Sequence, residues 1–138
     1  MADSDLKLGA AFAAAAMSAP SARMRVIAEN IANASSTAPT PGEEAYQHRV
    51  VVFDPLAAKD GDDTVPFVPR VQRLHHGFRV EYEPNHPAAD VDGFVKYPNV
   101  NTSLEVAQMG GAIGAYKANL KVWETLRTVE QKTIDLLK

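Results

Sequence analysis

The sequence predicts an α+β protein whose long amino- and carboxy-terminal helices pair as an antiparallel coiled-coil-like unit, with a small β-rich middle domain between them. Three observations predict it. Near the start, apolar or small residues at Leu6, Ala10, Ala13, Met17, Met24, Ile27 and Ile31 advance in alternating steps of four and three, the spacing of a heptad seam. A second helical pattern runs from Thr102 to the end of the chain, and β-rich runs punctuated by turn formers lie between. The expected divisions are a helical segment over 1–34, a loop and β-rich domain over 35–101, and a carboxy-terminal helix over 102–138 that pairs with the first segment.

The first segment loses one seam position at Pro20, which lacks an amide donor and clashes with the preceding turn, so a kink or a restart near Ser18 is expected. From Asn33 to Glu44 the chain is rich in Ser, Thr, Pro and Gly and reads as a loop. Asn33 is expected to end the helix as a cap or in a left-handed conformation. Tyr46 to Phe53, Val65 to Leu74 and Gly77 to Tyr82 read as strands of a small antiparallel sheet, with a turn at Lys59-Asp60-Gly61-Asp62-Asp63. In the last of these, Phe78, Val80 and Tyr82 alternate with Arg79 and Glu81, as a strand with one buried face requires. Pro84, Pro87 and Pro98 make the stretch to Asn99 extended or looped.

Thr102-Ser103-Leu104-Glu105 fits a capping box at the start of the last helix. Met109, Ile113, Tyr116, Leu120 and Trp123 form one seam along it, and Val122, Leu126, Val129, Thr133 and Leu136 an adjoining one. At about 1.5 Å per residue the helix is a rod of roughly 55 Å, far longer than the small sheet needs for cover. Gly110, Gly111 and Gly114 each cost about 1 kcal/mol relative to alanine. Yet Gly110, Gly114 and Ala118 fall at steps of four, a smooth stripe that another helix could approach closely.

Composition excludes several functions. A net charge of −3 leaves no positive excess for a phosphate backbone or an anionic membrane. No cysteine is available for disulfides, thiolate metal sites or nucleophilic catalysis. No run reaches the roughly 18 apolar residues of a membrane span. Leu8 to Met17 is apolar and follows Lys7, but Asp3, Asp5 and the predominance of alanine argue against a cleaved signal peptide. Adjacent His75 and His76 would point to opposite faces of a strand and so not converge on a metal. Asp60, Asp62 and Asp63 lack the remaining ligands of a calcium loop. Asn33-Ala34-Ser35 and Asn101-Thr102-Ser103 fit the glycosylation pattern, but both asparagines are better explained as helix-boundary residues. No nucleophile elbow or phosphate-binding loop is present, so no catalytic, cofactor or metal residue is expected and the chain does not read as an enzyme.

Two stretches carry a family resemblance. Ser18-Ala19-Pro20-Ser21-Ala22-Arg23-Met24, then Val26-Ile27-Ala28-Glu29-Asn30-Ile31-Ala32-Asn33, is similar to the amino-terminal signature of bacterial flagellar rod and hook proteins, with N-I-A-N its most specific part. Tyr82 to Asp90, Gly93 to Asn101, and Glu105, Met109, Ala112, Tyr116, Ala118 and Asn119 resemble the proximal rod subunits of that family. Tyr46 and Arg49 sit where it carries a Y-x-x-R-like element. Pro20, Val106 and Gly114 depart from the pattern, which commonly has glutamine, methionine and arginine there.

The resemblance implies a subunit of the flagellar drive shaft, exported without a cleaved signal and placed in the basal body across the periplasmic space. Its implied partners are copies of itself, other flagellar rod proteins, and basal-body ring and export-gate proteins, with no nucleic acid and no membrane span. The expected assembly interface is Met24, Ile27, Asn30, Ile31, Asn33, Met109, Ile113, Tyr116, Asn119, Leu120, Trp123, Leu126 and Val129. The alternatives are another flagellar axial subunit, a secreted helical module that merely dimerises, and a small hydrolase using His75, His76 or His86.

Overall fold

The computed structural model describes residues 2–54 and 68–136. The expected turn at Lys59-Asp60-Gly61-Asp62-Asp63 and the start of the second β run, Val65 to Phe67, lie outside the described residues. The elements are α1 (Ala2–Ala16), α2 (Ser18–Ala32), β1 (Arg49–Asp54), β2 (Val68–Arg73), β3 (Arg79–Tyr82), β4 (Phe94–Tyr97) and α3 (Thr102–Leu136). The fold is α+β, with long helices at both ends and the strands between them.

Pro20 divides the amino-terminal helix. It has no N–H for the carbonyl of Ala16, four residues earlier, and α1 ends at that residue. Met17 links α1 to α2 with helical dihedrals, φ −76° and ψ −21°, so the break is a kink rather than a loop. Ser18 Oγ donates back to the Ala15 carbonyl at 2.7 Å. The orphaned Ala16 carbonyl accepts instead from Asn119 Nδ2 on α3, at 3.0 Å. Pro20 itself is buried, so it fills the seam position that its helix-breaking character seemed to cost.

Helix α3 runs antiparallel to α1 and α2 and packs against both. Three contacts give the register. Gly9 lies under Leu126, Ala16 bonds Asn119, and Asn30 bonds Glu105. Gly9 and Ala16 are one heptad apart, as are Asn119 and Leu126; Ala16 and Asn30 are two heptads apart, as are Glu105 and Asn119. The pairing thus holds one phase over three heptads, the behaviour of a coiled-coil seam.

The covered path along α3 differs from the two seams read from sequence. It runs through Glu105, Met109, Ala112, Tyr116, Asn119, Trp123, Leu126, Glu130 and Thr133, again in steps of four and three. Ile113, Val122, Val129 and Leu136 are exposed. Glu105 sets this phase by being drawn inward, and small Ala112 lets the backbones approach two turns later. The expected capping box is corrected too. Asn101 is the cap, its Oδ1 accepting from the Leu104 amide at 3.1 Å, and Glu105 turns into the interior.

The strands form two separate two-stranded antiparallel sheets, β1–β2 and β3–β4, rather than one. β4 is a strand that the prolines of 84–98 obscured. It pairs Glu81 with Val95 and Tyr82 with Phe94. The inward face of this hairpin carries Arg79, Glu81, Val95 and Tyr97, of which Val95 is fully buried. Val80 and Tyr82 therefore face outward and are exposed, opposite to the face expected for them.

Asn33 ends α2 as its cap, the first of the two expected alternatives, and not in a left-handed conformation. Its φ is −104°, and its Nδ2 donates to the Glu29 carbonyl at 2.8 Å, adding a second bond to an acceptor that its own backbone amide already reaches at 3.1 Å.

The Asn119 bond predicts a coupling. Asn119→Ala should cost about 1 kcal/mol in urea unfolding, but close to nothing in a Pro20→Ala background, where an amide at position 20 can reach the Ala16 carbonyl. Equal losses in both backgrounds would show that this carbonyl is not the link.

Candidate functional site

The most constrained site in the described residues is a buried polar network where α2, β1 and α3 meet. Its centre is Asn30, one turn from the end of α2 and 1% exposed. Its amide nitrogen donates to the Arg49 carbonyl at 2.8 Å and to Glu105 Oε2 at 3.0 Å. Its Oδ1 accepts from the Tyr46 hydroxyl at 2.9 Å and from the Arg49 amide at 3.0 Å. All four bonds that a side-chain amide can make are thereby made. Because both backbone groups of Arg49 bond the same amide, Asn30 serves the first residue of β1 as a neighbouring strand would.

Glu105, also 1% exposed, has a second side-chain partner. His48 Nε2 lies 3.0 Å from its Oε1. A buried carboxylate without partners costs several kcal/mol, and two bonds plus its place in the first turn of α3, where the helix dipole favours negative charge, offset that cost. Around the rim, Arg49 pairs with Glu29 at 3.2 Å and its guanidinium lies 5.2 Å from the centre of the Tyr46 ring. Burial raises the Tyr46 hydroxyl above its ordinary value of 10.0; Arg49 opposes the rise, and Glu29 and Glu105 add to it.

The residues expected at an assembly interface divide into several groups. Ile27 and Asn30 are buried within the chain, and Asn33 and Asn119 spend their amides on helix ends. Met24, Ile31, Met109, Tyr116, Leu120, Trp123 and Leu126 are half-buried. Ile113 and Val129 are exposed. Gly110 and Gly114 have no heavy atom within 4 Å of where a Cβ would stand, so among the described residues nothing covers the small-residue stripe.

Sequence reading passed over His48 and placed Glu105 in a cap. A signal for Glu105 was present, since it stands one step of four before Met109 and one heptad before Ala112, on the inward path. Nothing in sequence marks His48, which lies 57 positions from its partner. Among the described residues no cluster of His, Asp or Glu could hold a metal ion, and no helix is long and apolar enough to cross a membrane. The network ties α2, β1 and α3 together.

Two outcomes test it. Asn30→Ala should destabilise the chain by about 3 kcal/mol in urea titration, and Asn30→Asp by more, since a carboxylate would face both Glu105 and the Arg49 carbonyl. A loss under about 1 kcal/mol would deny the joint its role. Tyr46 holds its proton more tightly folded than unfolded, so its contribution is complete below pH 10.0 and is lost as pH rises through the folded value. Melts up to about pH 11 should show an alkaline loss that is smaller in Tyr46→Phe, with Tyr97, also raised, accounting for part of the remainder.

No protein-family model matches the chain. It is 41% identical to the flagellar basal-body rod protein FlgC of Agrobacterium fabrum strain C58, with 96% of each chain covered. Identity is 35% to FlgC of Salmonella typhimurium strain LT2, over 90% of this chain and 92% of that one. With FlgC of Aquifex aeolicus strain VF5 it is 31%, over 91% and 92%. The similarity takes in both terminal helices and the middle, and the chain belongs to the FlgC family of flagellar basal-body rod proteins.

Proposed function

We propose that the chain is a subunit of the proximal rod, which assembles through its terminal helices with copies of itself and with other rod proteins and so transmits motor torque. Membership of the FlgC family makes it a structural rod subunit of the flagellar basal body. The finer reading rests on one observation: after α1 and α2 have paired with α3, apolar faces remain open at both ends of the chain. Val122, Val129 and Leu136 recur at steps of seven along α3, and Leu8 and Phe12 lie one turn apart on α1; all five are exposed. A stripe with heptad spacing and no cover among the described residues is suited to a neighbouring helix. A head-to-tail contact whose rotation does not close then builds an open helical assembly.

In this reading the segments 1–34 and 102–138 line the inside of the rod, the middle domain faces outward, and Met24, Ile31, Tyr116, Leu120 and Trp123 border the contact between neighbours. The chain reaches the periplasmic space by flagellar export without a cleaved signal, and meets basal-body ring and export-gate proteins there. The buried network turns helices and middle domain as one body, as torque transmission requires.

Val122→Asp and Val129→Asp test the open stripe. Both positions are exposed, so each purified variant should keep its stability within about 0.5 kcal/mol of the parent. Cells relying on either variant should make and export the protein yet fail to swim, with rods missing from isolated basal bodies. Normal swimming would remove the stripe from the interface, and a purified parent chain that stops at dimers under negative stain would favour a dimerising module.

A further inference from the structure

The ladder between β1 and β2 shows which backbone groups of this hairpin are spent within the chain. The Leu74 amide donates to the His48 carbonyl at 2.8 Å, so 48 and 74 are a bonded pair, and along an antiparallel ladder bonded and non-bonded pairs alternate. Val50 with Gln72 and Val52 with Arg70 are then bonded. The pairs Arg49 with Arg73, Val51 with Val71 and Phe53 with Pro69 turn their amides and carbonyls away from each other, to the two outer edges. Arg49 bears this out on the β1 edge, since both of its outward groups bond the Asn30 side chain.

An outer edge with free amides and carbonyls is a template for another strand. Asn30 stands at one end of the β1 edge as a one-residue substitute for a strand, and the edge continues past it through Val51 to Phe53. Val51 lines a cleft of about 380 Å³ between α2, β1 and α3, where Gly111 leaves open space in place of a side chain. What fits along this edge is an extended backbone that offers an amide and a carbonyl at every second residue. The outer edge of β2 presents that pattern. Val71 and Arg73 are exposed, and their outward groups meet no partner among the described residues. Pro69 has no N–H and ends the donating stretch.

We propose that the outer edge of β2 in one copy of the chain adds to the outer edge of β1 in a second copy. Asn30 stops the pairing at one end and Pro69 at the other. In the antiparallel register they leave, Val51 faces Arg73 and Phe53 faces Val71, each pair exchanging amide and carbonyl bonds. The contact uses backbone groups, so Arg49 keeps its pairing with Glu29. Because the two edges differ, each addition leaves one of each open, and the sheet continues from copy to copy instead of closing at two. This deepens the reading of the chain as a rod subunit, on which it rests, by naming a contact between copies made outside the helical stripes.

The chain has no cysteine, so Val52→Cys and Gln72→Cys, carried on separate full-length chains in one cell, report the contact: each chain holds one thiol and links only to another chain. In the proposed register 52 and 72 face each other as a non-bonded pair, with Cα atoms about 4.5 Å apart and within reach of a disulfide. Basal bodies from these cells, oxidised and run without reductant, should contain a linked dimer at more than about ten times the level found with either variant alone. Adding Val71→Pro to the Gln72→Cys chain should lower linkage about tenfold, the scale of one lost hydrogen bond. That amide is not used within the chain, so purified Val71→Pro should keep the circular dichroism of the parent. Equal dimer from either variant alone, linkage to another protein, undiminished linkage with Val71→Pro, or no dimer in basal bodies that contain both chains would each overturn the strand addition while leaving the rod reading intact. Absence of the parent chain from basal bodies would overturn both.

Discussion

One side-chain amide holds three distant segments together. Asn30 reaches β1 through both backbone groups of Arg49 and reaches α3 through Glu105, with Tyr46 occupying its remaining acceptor site. Few residues could stand there. Aspartate lacks the two donors, serine is too short and offers one, and glutamine would carry the same amide one methylene too far. A half-satisfied buried network is worse than an apolar core, so its completeness is what lets a carboxylate and an amide lie where valine or leucine would otherwise be expected.

The network also decides which surface of α3 is inside. Drawing Glu105 inward fixes the rotation of the helix, and the heptad repeat then carries that rotation along to Thr133. Had the Val122, Leu126, Val129 pattern set the phase, Val122 and Val129 would lie in the seam. Instead they are left on the outside, at the spacing a neighbouring helix can use. A polar interaction at one end thereby selects the apolar stripe available along the whole rod, much as a buried polar residue fixes register in coiled coils.

Much of this was legible in sequence, because periodicity reports directly on helical faces. The amino-terminal seam, the break around Pro20, the start of α3 at Thr102 and the antiparallel arrangement all follow from spacing and from proline chemistry. Five features did not. Ile113 and Val122 fit a seam by hydrophobicity but lie off the path that Glu105 imposes. β4 was hidden by flanking prolines, although Phe94 to Tyr97 itself contains none. Val80 and Tyr82 alternate correctly, but alternation identifies two faces without saying which is buried, and Val95 on the partner strand settles that. Asn33 was recognised as a terminator while its means, a side-chain bond, depended on the geometry of the last turn. The joint itself needed long-range partners 19, 57 and 75 positions apart, which no local pattern carries.

Those separations bear on how the chain comes to be folded at all. Asn30 meets Glu105 across 75 positions, and Ala16 meets Asn119 across 103. Loop closure over such spans costs about 4 kcal/mol of chain entropy before any contact repays it, so the helical pair forms only as a whole. On the ribosome, the amino-terminal third waits for residues made much later, and a product that stops short of Glu105 lacks one of the two acceptors of its Asn30 amide nitrogen. A chain that ends before Glu105 therefore lacks the bond that ties α2 to α3 at the joint.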